Sequence, residues 1–201
     1  MILCKNRHEC LKLNKNFKKK IVLMGIKHCG KSTMGRMLAK NQNLDFYDID
    51  QFIVQNYNQK QGLSVREIFI KEGEKHFREI EALSACILNK RIKPNTNAVI
   101  ALGGSTIENE KAIECVAMCA TMVYLKENAD ILYKRIIKNG IPPFIDKNTP
   151  YKSFLRIYEN RSKLYEKRAD LIVDINGLDI NKAFNQLLKI LMEKKICQEI
   201  Y

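Results

Sequence analysis

The chain has 201 residues, 46% of them hydrophobic, which suits one domain with a full core and no need of disulfide staples. Net charge is +13, with seven basic residues against Glu9 alone in residues 1–20, and such a balance favours anionic small ligands. No apolar run reaches the ~18 residues of a membrane span, no signal-peptide core follows the basic start, and no aromatic-interleaved basic stripe points to nucleic acid. The seven cysteines (Cys4, Cys10, Cys29, Cys86, Cys115, Cys119 and Cys197) contain no Cys-x-x-Cys pair. They read as reduced cytosolic thiols rather than as a zinc cluster.

Residues 1–19 read as a basic extension, poorly ordered, ahead of the first strand. The apolar run Ile21-Val22-Leu23-Met24 predicts that strand, and Gly25-Ile26-Lys27-His28-Cys29-Gly30-Lys31-Ser32-Thr33 follows it directly. Residues 34–40 then favour a helix. G-x-x-x-x-G-K-S between a strand and a helix is the context a phosphate-binding loop needs. Its glycines let successive N–H groups face a polyphosphate, and the helix adds the positive end of its dipole. Lys31 is placed to reach the β- and γ-phosphates and the Ser32 hydroxyl to ligate Mg²⁺.

Phe46-Tyr47-Asp48-Ile49-Asp50 reads as a short strand ending in two carboxylates. Ser64 and Glu67 have capping-box spacing, predicting a short helix that ends near Gly73, with a longer one over about 74–89. Ala98 to Leu102 is a buried strand closed by Gly103-Gly104. Thr121 to Leu125 forms another strand, and Asn128 caps a helix to about Ile137. Gly140, Pro142, Pro143 and Pro150 make 138–150 a surface loop. A helix over about 151–167, a last strand Leu171 to Asp174 and a terminal helix capped by Asp179 complete the chain. Strands alternating with helices predict a parallel sheet covered on both faces, with the site at the carboxyl ends of the strands.

Several features fall at those ends: Asp48-x-Asp50, Phe77-Arg78, Gly103-Gly104, and Arg161 within Asn160-Arg161-Ser162-Lys163-Leu164-Tyr165. In order with the nucleotide loop, and over about residues 20–180, this set resembles the shikimate kinase family. The resemblance implies a three-layer α/β P-loop kinase of the nucleoside-monophosphate-kinase-like fold. It has a five-stranded parallel sheet in the order 2-3-1-4-5, a single domain over 20–201, substrate-binding helices over about 49–89 and a mobile lid over about 138–150. It also implies transfer of the ATP γ-phosphate to the 3-hydroxyl of shikimate in chorismate and aromatic amino-acid biosynthesis, with Mg²⁺ as cofactor. A cytoplasmic monomer is expected, with no membrane or nucleic-acid partner.

Residue by residue, the resemblance makes Asp50 and Lys31 catalytic, Asp50 orienting the accepting hydroxyl. It makes Gly25, Lys27, His28, Cys29, Gly30, Lys31, Ser32 and Thr33 the phosphate loop, and sets Arg135 against the adenine. Ser32 and Asp48 attend the metal. Arg78 and Arg161 hold the shikimate carboxylate, since a planar guanidinium offers paired donors that lysine lacks. The Gly103 and Gly104 amides approach the substrate hydroxyls, where a β-carbon would collide with the ring. Glu81, three residues after Arg78, is placed to hold that arginine's fork, and Phe69 and Phe77 wall the ring or pack the core.

Three departures stand out. His28 and Ser105 occupy positions where the family has glycine, and Pro142 stands where the family's lid carries arginine. Lys138, Lys147 and Lys152 flank that gap and are candidate substitutes. The alternative readings are a kinase for another small metabolite, and a catalytically weakened binding protein of the same fold.

Overall fold

Five short runs, four of them mainly apolar, build the sheet in a computed structural model that describes residues 20–57, 62–92, 96–138, 140–142 and 145–197. The expected extension 1–19, residues 58–61 of the expected substrate-binding helices, and Asn139, Pro143 and Phe144 of the expected lid lie outside the described residues. The strands are β1 (Lys20–Met24), β2 (Asp45–Asp48), β3 (Ala98–Ala101), β4 (Ala120–Lys126) and β5 (Leu171–Asp174). All pair in parallel, in the order β2-β3-β1-β4-β5. This is the order that the resemblance implies.

β1 and β3 are buried along their whole length, as central strands covered on both faces must be. Register then positions the site. Leu23 and Asp48 both pair with Ala101, so β1, β2 and β3 end level with one another. The phosphate loop after Met24, the glycine pair after Leu102 and the two carboxylates after Tyr47 therefore emerge along one edge of the sheet.

The helices are α1 (Lys31–Gln42), α2 (Ile49–Tyr57), α3 (Val65–Arg91), α4 (Glu110–Ala117), α5 (Ala129–Ile137), α6 (Pro150–Arg168) and α7 (Ile180–Glu193). The Ser64–Glu67 capping box forms, and Asn128 and Asp179 cap α5 and α7 through their side chains. α3 breaks at Gly73, whose φ of 74° and ψ of 167° leave the helical region, so the two expected helices run on either side of one kink. The acidic strand is shorter than the sequence implies. It ends at Asp48, because the Asp48 carboxylate accepts the backbone N–H groups of Asp50 (3.0 Å) and Gln51 (3.3 Å) and so opens α2. Asp50 is thus a first-turn helix residue. The 3₁₀ turn Thr106–Glu108 and α4 were not foreseen from the sequence.

Tyr124, Tyr165 and Phe154 are the largest fully buried side chains, and Tyr124 stacks on Tyr165 with ring centroids 4.9 Å apart. Cys86 of α3 and Cys115 of α4 form a disulfide with a Cα–Cα separation of 5.0 Å. That corrects the expectation of reduced thiols at those two positions: α3 and α4 pack side by side and bring together residues 29 apart in sequence. Cys29 and Cys119 are unbridged among the described residues. Within the described residues no helix is long and apolar enough to cross a membrane.

Candidate active site

Curling the loop after β1 requires backbone that few side chains tolerate. Gly30, at the N-terminus of α1, has φ 99°, and His28 adopts φ 68° despite its side chain, so the loop keeps its turn without the usual glycine. Lys31 is buried and folds back onto its own loop, donating to the carbonyls of Gly25 (2.9 Å) and Ile26 (3.0 Å). Cys29 is buried beneath the loop, whereas Lys27, His28 and Thr33 face outward. Although His28 faces outward, partial desolvation of its ring, and then the charges of Lys27, Lys31 and Arg135, hold the imidazole below its ordinary pKa, which keeps it neutral at physiological pH.

The two carboxylates divide sharply in environment. Asp48 receives the Ser32 hydroxyl at 2.5 Å, linking the expected metal-binding pair. Asp50 is raised from 3.8 to about 6, first by burial and next by repulsion from Asp48, with Lys31 opposing. A carboxyl tuned this close to neutrality has the acidity of a group that handles a proton or a hydroxyl.

Gly103 and Gly104 lie in the same cluster, and the protein's own loops crowd both positions. A β-carbon at Gly103 would stand 2.6 Å from Asp50 Oδ1 and 2.8 Å from Thr106 Oγ1, and one at Gly104 would stand 2.8 Å from the Lys27 backbone nitrogen. The protein's own loops thus close on the pair and are by themselves enough to require glycine there. Gly104 also supplies a carbonyl that accepts from Tyr165 Oη (2.7 Å) and Arg161 Nη1 (3.2 Å).

Arg78 and Arg161, 83 positions apart in sequence, meet at one acid that sequence reasoning missed. Glu108 Oε1 accepts from Arg161 Nε at 2.9 Å, while Oε2 accepts from Arg161 Nη2 at 3.0 Å and from Arg78 Nη2 at 2.9 Å. Nothing in a lone glutamate of the run Thr106-Ile107-Glu108-Asn109 signals this. Arg78 Nη1 is further held by the Ser105 carbonyl at 2.8 Å. Glu81 lies 3.5 Å from Arg78 Nη1, as the helix spacing predicts. Its stronger partners are Thr106 Oγ1 (2.7 Å) and Asn109 Nδ2 (2.8 Å), which satisfy this buried carboxylate. Phe77 is buried and meets Phe69 edge to face at 5.4 Å.

Arg135, the residue expected against the adenine, donates to the His28 carbonyl at 3.1 Å and lies 3.2 Å from Glu127. Glu127, another residue the sequence did not disclose, is buried, and its Oε1 accepts the backbone N–H groups of Asn128 and Gly177, each at 3.0 Å. In the expected lid, Ile145 is buried and donates its N–H to the Pro142 carbonyl, while Lys138, Lys147 and Lys152 are exposed.

A family model for shikimate kinase matches residues 27–192 of the chain. Shikimate kinase of Staphylococcus aureus is 35% identical over 176 residues, which span 87% of this chain and 94% of that protein. Among solved structures, shikimate kinase from Acinetobacter baumannii in complex with shikimate superposes with a TM-score of 0.76 and 26% identity, covering 89% of this chain and 96% of the other. The Aquifex aeolicus shikimate kinase gives 0.69 and 26%, covering 88% and 98%.

Proposed function

The chain belongs to the shikimate kinase family, and from that premise we propose how its residues divide the work. It transfers the γ-phosphoryl group of ATP to the 3-hydroxyl of shikimate. The observation that carries the residue assignments is the level ending of β1, β2 and β3, which lines up a phosphate loop, a carboxylate pair and the glycine turn to which Arg161 bonds.

Gly25 to Thr33 cradle the phosphates, and Lys31 exchanges its carbonyl partners for phosphate oxygens. Arg135 lies against the adenine. Ser32 and Asp48 attend Mg²⁺: a hydroxyl and a carboxylate already in contact are hard oxygen donors, and two protein oxygens leave room for the waters and phosphates this ion prefers. When bound, the ion neutralises phosphate charge. Asp50 orients the 3-hydroxyl and accepts its proton as the new bond forms; loose phosphoryl transfer needs little deprotonation early, so orientation is the larger part. Arg78 and Arg161 receive the shikimate carboxylate, and the Gly103 and Gly104 amides approach its hydroxyls. The protein works as a monomer in the cytoplasm, where ATP is supplied and where the Cys86–Cys115 bridge is an exception to the reduced state of most thiols.

Residues 138–150 close over the bound pair to exclude water. Pro142 removes the family's lid arginine, so one of Lys138, Lys147 and Lys152 supplies a point charge in its place. Alanine substitution at each tests this: turnover undiminished in all three refutes it. The function itself is tested by coupled ADP release. Turnover that depends on shikimate supports it, whereas shikimate binding without turnover supports the weakened-enzyme reading that Pro142 motivates.

A further inference from the structure

Glu108 has no part in that division of work, yet it holds both substrate arginines. Its carboxylate meets Arg161 side-on through two bonds, and a third bond reaches Arg78. This is the pattern in which a guanidinium pair receives a ligand carboxylate. The arginines have other anchors, Arg161 to the Gly104 carbonyl and Arg78 to the Ser105 carbonyl, so neither depends on Glu108 alone for its place. Glu108 lies on a single 3₁₀ turn, and its side chain is 31% exposed against 12% for Arg161, which sets it on the solvent side of the pair with room to leave.

We propose that Glu108 is an internal stand-in for the substrate's carboxylate: it occupies the arginine pair in the free enzyme and is displaced when shikimate binds. The inference rests on the reading that Arg78 and Arg161 hold that carboxylate. Burial pushes the Glu108 carboxyl up, but bonding and attraction from Arg161 and Arg78 outweigh it and leave the group below its ordinary pKa, so it is charged at neutral pH. The substrate therefore exchanges one carboxylate for another. Only the difference between the two contributes to affinity, and a ligand without an anionic group at that position has nothing to offer in exchange. Glu108 thereby sets the affinity threshold and part of the specificity of the shikimate site.

The test is calorimetric titration of shikimate into the full-length protein, parent and variants, with melting temperatures measured alongside. Glu108→Gln and Glu108→Ala are expected to tighten binding by about threefold to tenfold, the worth of a partly exposed ion pair. Arg161→Lys is expected to weaken it by about tenfold or more. If Arg161→Lys weakens binding while both Glu108 variants bind as the parent does or worse, the stand-in proposal fails and the carboxylate-site reading survives. If Arg161→Lys leaves affinity unchanged, both fail. A crystal structure of the parent with shikimate decides the matter without any variant: Glu108 still side-on to Arg161 in that complex overturns the proposal.

Discussion

Replacing Asp50 with Asn should stabilise the protein while disabling it. The Asp50 carboxyl is raised from 3.8 to about 6, chiefly by burial and then by Asp48. An acid that holds its proton more tightly in the folded state than in the unfolded one destabilises the fold wherever it must ionise. At pH 7, above both values, that cost is about 3 kcal/mol. It shrinks as pH falls through 6, is about half as large at pH 5, and vanishes below the unfolded value of 3.8. Asn has the same shape and no charge to desolvate, so it removes the cost at neutral pH. For a domain of this size 1 kcal/mol moves the melting temperature by about 2–4 °C. Scanning calorimetry should therefore place the Asn protein about 6–12 °C above the parent at pH 7.5 and about half that at pH 5. Turnover should fall by about 10² or more, since the amide neither orients the hydroxyl as a charged acceptor does nor takes its proton. A melting temperature equal to or below the parent's at pH 7.5, or a gap that does not narrow in acid, refutes the reasoning.

The same titration should appear in the kinetics: kcat/KM for shikimate declines on the acid side with an apparent pKa near 6, and a plateau that extends unbroken to pH 5 would contradict it. Gly104→Ala should damage ATP binding as well as shikimate binding, because its β-carbon would stand 2.8 Å from the Lys27 backbone nitrogen and displace the phosphate loop. A rise in KM for shikimate alone would show that the ring, not the loop, sets the glycine requirement. Reducing the Cys86–Cys115 bridge reopens the chain between residues 29 apart, which in the chain-entropy picture costs about 3–4 kcal/mol. A melting temperature indifferent to dithiothreitol, with thiol titration confirming reduction, would refute this.

Most of the sheet was legible because buried parallel strands are written as unbroken apolar runs, and Ile21 to Met24, Ala98 to Ala101 and Thr121 to Leu125 each carry that mark. Helix starts were legible where a side chain caps them, at Ser64, Asn128 and Asp179. Asp48 misled, since its carboxylate ends a strand and begins a helix at once, a double duty that local sequence cannot express. The candidate site was legible where one short segment holds the chemistry, as in the phosphate loop. Glu108 and Glu127 were not, because each acquires its part from partners far along the chain: Arg161 for the first, Gly177 for the second. The bridge between Cys86 and Cys115 escaped for the same reason, depending on how α3 and α4 lie together rather than on spacing.

Glu127 carries a consequence beyond its own surroundings. One hidden carboxylate fastens the end of β4, the bend ahead of α7 and the guanidinium of Arg135, which in turn braces the His28 carbonyl. The bend ahead of α7 is thereby keyed to the loop that follows β1. Lesions in the bend ahead of α7, at Gly177, should then surface as a poorer grip on ATP with the affinity for shikimate intact. Equal damage to both affinities would mean that the joint transmits nothing selective.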